Sequence, residues 1–131
     1  MKSMTGGLQK MEHLRNAELV EKTIFLIEKN LHSEKCLVEV EAIIEADCPN
    51  YAVIFEEQVG MKPDEFIAKA RVGEAEILLE QTEMDFKEIA KAIGINGYFE
   101  FTQLFKRLNG ITPSGYRNQM FKVLRVNTGN A

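Results

Sequence analysis

Four side chains in this sequence have the chemistry to bind a transition metal: the histidines His13 and His32 and the cysteines Cys36 and Cys48. A structural zinc site normally needs close pairs of such ligands, and the two cysteines are too far apart to form one. His32 and Cys36 lie four residues apart, which suits one helix face, but Cys36 is expected beyond the end of its helix. We therefore predict reduced cysteines, no metal site and no cofactor.

Sets of residues that support catalysis are also missing from the sequence. Serine, histidine and aspartate do not combine into a set resembling a nucleophilic triad, and no glycine loop is suited to cradle a phosphate. The carboxylates are spread along helix faces that should be exposed to solvent. The sequence therefore predicts that the protein is not an enzyme, and it shows no small-molecule site.

The charge of the chain is distributed unevenly. The formal net charge is −4 over 131 residues, with −5 in residues 1–70 and +1 in residues 71–131. Beyond Phe99 a single carboxylate, Glu100, stands against five basic residues. These are Lys106, Arg107, Arg117, Lys122 and Arg125. Positive charge gathered in this way is typical of a surface that binds nucleic acid, whereas the acidic first half is not.

The start of the chain does not resemble a secretory signal. Residues 1–11 lack the apolar run of a secretory signal, so we interpret them as a flexible leader and residues 126–131 as a tail. No apolar stretch is long enough to cross a membrane. We therefore expect a cytoplasmic protein with no membrane partner.

Apolar residues recur at helical spacing along the whole chain, and no run of alternating β-branched residues predicts a strand. The sequence therefore predicts an all-α fold of about seven helices. Three of the helices expected in the first half span residues 17–31, 38–46 and 63–80. A further helix is expected to start at residue 47 or 48, to have Pro49 in its first turn, and to end before Gly60. Ile43 and Ile77 are expected to face the core of the protein.

The second half of the sequence carries clear helix boundaries. They are Asp85 as an N-cap, Gly94 as a turn, Asn96 as the next N-cap, Gly110 as a C-terminal stop, and Thr112 with Pro113 as the last start. A short helix, a glycine turn and a longer helix with Lys106 and Arg107 near its end outline a helix-turn-helix. The same spacing fits a plain helical hairpin equally well, so periodicity alone leaves both interpretations open.

Residues 82–117, TEMDFKEIAKAIGINGYFEFTQLFKRLNGITPSGYR, resemble the second helix-turn-helix of the AraC/XylS family of transcription regulators. The register from Gly94 to Gly110 matches without a gap, and so many fixed positions make the signal specific. The matching residues are Ile89, Ala90, Gly94, Phe101, Phe105, Lys106, Arg107, Gly110, Thr112, Pro113, Ser114, Tyr116 and Arg117. A fainter resemblance extends back to about Ala17.

The resemblance implies a fold of two helix-turn-helix units joined by a long linker helix. It places the first unit in residues 12–62, the linker helix in 63–81 and the second unit in 82–125. Members of the family lay their two recognition helices into adjacent major-groove segments on one face of double-stranded DNA. They mostly activate transcription, often by touching RNA polymerase, so RNA polymerase or another regulator is an expected partner besides DNA.

The resemblance also implies which residues of the second unit contact DNA. The base-facing positions of the family include Gln103, which replaces a common arginine but can still pair bidentately with adenine. Glu100 stands where an aromatic residue is common, and this departs from the family pattern. The predicted DNA-binding residues are Asn96, Tyr98, Phe99, Thr102 and Gln103, together with the surface cations Lys106, Arg107 and Arg117.

The first unit lacks the side chains that such an interface needs. Its base-facing positions fall on Pro49, Ala52 and Val53, none of which can donate a side-chain hydrogen bond to a base. Glu56 and Glu57 stand where a cation is usual, and carboxylates near phosphates are repelled. We hypothesise that this unit does not read DNA. Ala52 and Val53 could then form part of a protein contact, or the unit could serve only as a scaffold.

Two functions follow from these observations. The first is a sequence-specific DNA-binding transcriptional regulator that reads the major groove mainly with its second unit. The alternative is a degenerate family member that binds another regulator or RNA polymerase without gripping DNA. The sequence leaves open the operator, the regulated genes, activation or repression, the oligomeric state, and whether the chain is a whole regulator or a fragment of one.

Overall fold

The computed structural model describes residues 2–129, with the side chains of residues 12 and 15–123, and this part of the chain contains seven helices and no strand. The helices are α1 (Lys2–Asn30), α2 (Cys36–Ile44), α3 (Tyr51–Val59), α4 (Pro63–Gln81), α5 (Phe86–Ala92), α6 (Tyr98–Asn109) and α7 (Pro113–Gly129). The expected all-α fold is confirmed. The leader predicted in 1–11 falls within α1 apart from Met1, which lies outside the described residues, as do 130 and 131 of the tail. That either end is flexible stays a prediction.

The chain forms two compact units. The first contains the residues up to Asn30 together with Lys35–Ile67, and the second contains Leu31–Glu34 together with the chain from Ala68 onward. Helix α4 therefore contributes its first turn to the first unit and the rest of its length to the second. Each unit has a hydrophobic core of its own, as a small helical domain requires.

The core of the first unit is made by α1, α2 and α3. Val20 and Ile27 of α1 are buried together with Val40 of α2 and Phe55 of α3. The ring of Phe55 packs edge-on against Phe66, with 5.5 Å between ring centroids. This packing fixes which side of α3 faces solvent.

The start of α3 differs from expectation. Helix α3 begins at Tyr51, and Pro49 precedes it rather than lying in its first turn. The reason is that the amides of Asp47 and Cys48 both donate to the carbonyl of Ile44, so this stretch closes the end of α2 instead of opening α3.

Two isoleucines that were expected to face the core are exposed. Ile43 is 46% exposed, because the buried residues of α2 are Cys36, Val40 and Ile44, and Ile43 lies at the edge of that stripe. Ile77 is 52% exposed. It lies two residues from both Ala75 and Leu79, which are the buried positions of α4 on either side, and a helix turns such a residue to the opposite face.

The core of the second unit holds α5 and α6 in place. Its buried residues are Val72, Ala75, Leu79, Ile89, Ala90, Ile93, Phe101 and Phe105. The predicted N-cap of α5 is confirmed, since the carboxylate of Asp85 accepts from the amide of Glu88 at 2.8 Å. The turn after α5 runs through Gly94, which has φ +81° as expected.

Candidate nucleic-acid interface

Helix α6 begins and ends at glycines that hold the backbone in conformations other residues rarely adopt. Its N-cap is Gly97, with φ +123°, and no side chain caps the helix there. The expectation that Asn96 would cap it was wrong, and the side chain of Asn96 is exposed in the turn. At the other end Gly110, with φ +80°, donates its amide to the carbonyl of Lys106 at 2.7 Å.

One side of α6 is anchored by two phenylalanines. Phe101 and Phe105 are fully buried, with 5.9 Å between their ring centroids. Phe105 also packs against Tyr116 of α7, with 5.4 Å between centroids. Burying a phenylalanine side chain stabilises a fold by about 1.5–3 kcal/mol, so these contacts set the rotation of the helix and leave its opposite face outward.

The outward face of α6 carries most of the predicted DNA-binding residues. We call Phe99, Thr102, Gln103, Lys106 and Arg107 the α6 stripe, because their spacing of three, four, seven and eight residues from Phe99 places them along one helix face. The stripe, with Thr112, lines a shallow concave surface. The structure thus brings these predicted residues together.

The members of the α6 stripe differ in how freely they can meet a ligand. Phe99 is 72% exposed, and Gln103, Lys106 and Arg107 are exposed as well. Among the described side chains, none forms an ion pair with either cation. Thr102 is less accessible, since its Oγ1 is buried and has no hydrogen-bond partner among the described residues. The free donors are therefore Gln103 and the two cations.

Tyr98 lies beside the α6 stripe, and its side chain is partly packed against the protein and partly exposed to solvent. Its ring packs against Phe86 of α5 with 6.0 Å between centroids, and it remains 42% exposed. Glu100 is exposed in the first turn of α6, where a carboxylate is favoured by the helix dipole. Tyr98 can thus offer one edge to a ligand while its face packs.

Arg117 lies away from the α6 stripe and uses its guanidinium within the protein. Its Nε donates to the carbonyl of Leu79 at 3.2 Å, and its Nη2 donates to that of Thr82 at 3.2 Å. The guanidinium also stacks over the ring of Phe86, 5.2 Å from the centroid. Arg117 therefore ties α7 to the end of α4. A phosphate contact by this residue stays a prediction.

Replacing Arg117 by methionine is expected to lower the free energy of unfolding by about 1–3 kcal/mol, because the two carbonyls lose a charged donor while the apolar stem is kept. Chemical denaturation followed by circular dichroism measures this. Arg107→Met is the matched control, and it should change stability by less than about 0.5 kcal/mol because Arg107 is exposed. Equal stability of the two variants would show that the internal contacts of Arg117 contribute little.

Tyr116 adds a second tie at the same end of the unit. Its hydroxyl donates a hydrogen bond to Oε1 of Glu80. Burial raises the pKa of the Tyr116 phenol, and the bonded carboxylate raises it further. The phenol therefore stays a donor across the physiological pH range and keeps α7 joined to α4.

Several structural features of the second unit recur in the first unit, at positions fifty residues earlier in the chain. Phe55 and Phe105 are both buried, and Gly60 and Gly110 both end a helix at positive φ. Pro63 and Pro113 then begin the next helix, and Phe66 and Tyr116 each pack edge-on against the buried phenylalanine. Helix α3 is thus the counterpart of α6.

The surfaces of these two counterparts have opposite character. Where α6 has Thr102, Gln103, Lys106 and Arg107, α3 has Ala52, Val53, Glu56 and Glu57. Val53 is 56% exposed, and both glutamates are exposed. Pro49, the remaining predicted base-facing position, lies before α3. This side of α3 therefore presents apolar and negative groups instead of hydrogen-bond donors. The fifty-residue repeat in the sequence is the signal that reveals the correspondence between α3 and α6. The spacing of residues within either helix does not reveal it.

The residues considered for metal binding lie in ordinary surroundings. Cys36 is buried, and its Sγ lies 3.7 Å from the carbonyl oxygen of Ile27. His32 is exposed, with Nδ1 2.5 Å from the carbonyl oxygen of Ala92. Within the described part of the chain, no three histidine, cysteine or acidic residues are close enough to hold a metal ion. The side chain of His13 lies outside the described residues.

None of the described helices combines the length and the apolar character that crossing a membrane requires.

The family model described as "Helix-turn-helix domain" matches residues 51–119. The uncharacterised HTH-type transcriptional regulator YtdP of Bacillus subtilis is 29% identical over 117 residues, which cover 88% of this chain and 15% of that protein. The chain spans well under half the length of the curated relatives it matches, such as 24% and 37% of two others.

Solved structures share the fold. The C-terminal domain of AraT, a response regulator from Geobacillus stearothermophilus, is 24% identical with a TM-score of 0.73, covering 77% of this chain and 84% of that one. The DNA-binding domain of the global transcriptional factor AdpA, solved in complex with a target DNA, is 20% identical with a TM-score of 0.70, covering 86% of this chain and 97% of that one.

Proposed function

This chain belongs to the AraC-type family of helix-turn-helix transcriptional regulators, and we propose that it binds double-stranded DNA by laying α6 in the major groove. The observation that carries the proposal is the α6 stripe, whose exposed Gln103, Lys106 and Arg107 lie opposite the buried Phe101 and Phe105. The family comprises regulators and not enzymes. We also propose a cytoplasmic location, because bacterial DNA lies there and the matched relatives are bacterial.

Each exposed side chain of the α6 stripe suits a different part of a duplex. Gln103 can donate to N7 and accept from the N6 amino group of adenine in a bidentate pair. Phe99 can pack against the methyl group of a thymine. Lys106 and Arg107 lie at the C-terminal end of α6, where they can neutralise phosphates and release counterions. We therefore propose that α6 reads a short segment that contains both adenine and thymine.

The family relationship supports this proposal in two ways. The relatives are named as HTH-type transcriptional regulators, and the domain of AdpA, which has the same fold, was solved with its target DNA. The second unit contributes the proposed reading surface, since the counterpart positions of α3 carry no side-chain donor for a base. RNA polymerase or another regulator would be a further partner of a transcriptional activator.

Selection of bound duplexes from a random pool, followed by footprinting, tests the proposal. We expect the selected sequences to share one conserved major-groove segment, and we expect binding to weaken steeply as salt rises. A pool that shows no enrichment after repeated selection at low salt would contradict DNA reading. A conserved footprint of two groove segments one helical turn apart would show that α3 also reads DNA.

Gln103→Ala is expected to weaken binding to the selected duplex by about 1–3 kcal/mol and to relax the preference at one adenine, because a bidentate pair to that base is lost. Fluorescence anisotropy on the selected duplex and on duplexes altered at single positions measures both effects. Gln119→Ala is the matched control, since Gln119 is exposed on α7 and does not line the concave surface of the α6 stripe. If Q103A and Q119A have the same base preferences as the parent, Gln103 does not read a base.

A further inference from the structure

A hollow on the first unit lies beside the exposed face of α3. Its floor is apolar and includes Leu37 of α2, Ala52 of α3 and Pro63 at the start of α4. The ring of Tyr51 closes the floor and is fully buried. Val53, which is 56% exposed, lies at the edge of this hollow. An apolar side chain of a partner could be buried here beside Val53.

The rim of the hollow is mostly acidic. Glu41, Glu56 and Asp64 line it, against one cation, Lys62. Glu41 is held in place because Oε1 accepts from the hydroxyl of Tyr51 at 2.8 Å. The side chains of Glu56 and Asp64 are exposed, and within the described part of the chain they have no ion-pair partner. The rim therefore keeps uncompensated negative charge next to apolar surface.

The charge of this surface excludes one class of ligand and favours another. Glu56 and Glu57 occupy the positions that Lys106 and Arg107 occupy in α6, so a DNA phosphate would be repelled where the second unit would attract it. Lysine or arginine side chains complement the acidic rim and fix the orientation of a partner. Apolar floor and acidic rim together fit a peptide segment that carries a large apolar side chain flanked by cations.

We propose that the first unit is a docking surface for a basic, amphipathic segment of a partner protein, which inserts an apolar side chain beside Val53 and pairs its cations with Glu41, Glu56 and Asp64. This docking surface lies on the first unit and the α6 stripe on the second, so binding of the partner does not require binding of DNA. It gives the chain two recognition surfaces of opposite charge, one on each unit. An amphipathic helix is the segment that best meets such a hollow, because its anchor and cations recur on one face.

Selection from a library of random peptides displayed on phage, with the whole chain as bait, tests the proposal. We expect the enriched peptides to combine two or more lysines or arginines with a large apolar residue. A representative peptide, synthesised with a fluorophore, should bind the E56K/E57K variant at least tenfold more weakly than the parent. The double variant E18K/E21K, with the same change in net charge on exposed positions of α1, should bind like the parent.

Three results would overturn the docking surface. They are a failure to enrich peptides, enrichment of peptides without cations, and equal loss of binding in both double variants. Amide chemical shifts of the labelled protein give an independent readout, because the peptide should move the signals of Ala52 and Val53. A random duplex DNA that displaces the peptide and moves those same signals would assign the surface to nucleic acid instead. Circular dichroism on each variant confirms that it is folded.

Discussion

The K106E/R107E double variant is expected to bind the selected duplex about a hundredfold more weakly than the parent at moderate salt. Each cation that neutralises a phosphate contributes about 0.9 to the slope of log affinity against log salt, so the slope should fall by about two. Reversing the charges adds repulsion to this loss. Fluorescence anisotropy over a series of salt concentrations measures the affinity and the slope on the same samples.

The matched control is the K69E/K122E variant, which changes net charge by the same amount. Lys69 and Lys122 are exposed residues of α4 and α7 in the same unit, and neither belongs to the α6 stripe. Exposed charges beyond about 8–10 Å are largely screened at physiological salt, so this variant should lose much less affinity. Equal losses in the two variants would mean that DNA responds only to net charge, and that the α6 stripe is not the interface.

Gly94→Ala is expected to destabilise the second unit by about 3 kcal/mol. Gly94 has φ +81°, and an added Cβ would lie 2.7 Å from the carbonyl oxygen of Leu31 and 3.0 Å from the carbonyl carbon of His32. The left-handed conformation costs a residue with a Cβ about 1–2 kcal/mol, and forcing atoms into packed surroundings costs about 1–3 kcal/mol. Thermal and chemical denaturation of the variant measure the loss.

Two other glycines separate these contributions. Gly110→Ala has the same conformational strain, with φ +80°, but its Cβ would meet no atom within 4 Å, so it should cost only about 1–2 kcal/mol. Gly73→Ala lies in α4 with open space around it and should stabilise the helix by about 0.5–1 kcal/mol. If G94A and G110A lose the same free energy of unfolding, the close approach of the 31–34 segment to Gly94 does not add to the cost of the substitution.

Much of the second unit could be predicted from sequence because its signals are local. The cap at Asp85, the turn at Gly94 and the stop at Gly110 each depend on one residue type with one backbone role. The resemblance to the AraC/XylS family placed Gln103 among the base-facing positions, and its side chain is exposed on α6. Propensity and pattern agree in this region, which is why it could be read without coordinates.

The details that could not be predicted from the sequence depend on contacts with residues distant in the chain or on the backbone conformation. Arg117 was predicted as a surface cation, and its acceptors are carbonyls 35 and 38 residues away, which no local pattern reveals. Asn96 is a good capping residue by type, but the φ of +123° at Gly97 shifts the start of α6 by one residue. Ile77 belongs by type to the core, yet it lies two residues from buried Ala75 and two from buried Leu79, which places it on the opposite face of α4.

Three pairs of residues correspond at a spacing of fifty: Phe55 with Phe105, Gly60 with Gly110, and Pro63 with Pro113. These holding residues fix the packing and the ends of α3 and α6, and they are different from the residues that each helix exposes to solvent. Because the holding residues point inward, a change at Val53 or Glu56 leaves the packing of α3 intact. One architectural plan, used twice, can therefore acquire a second binding preference by altering a handful of outer side chains, at almost no risk to folding. For engineering, this makes α3 a natural position at which to install a chosen specificity.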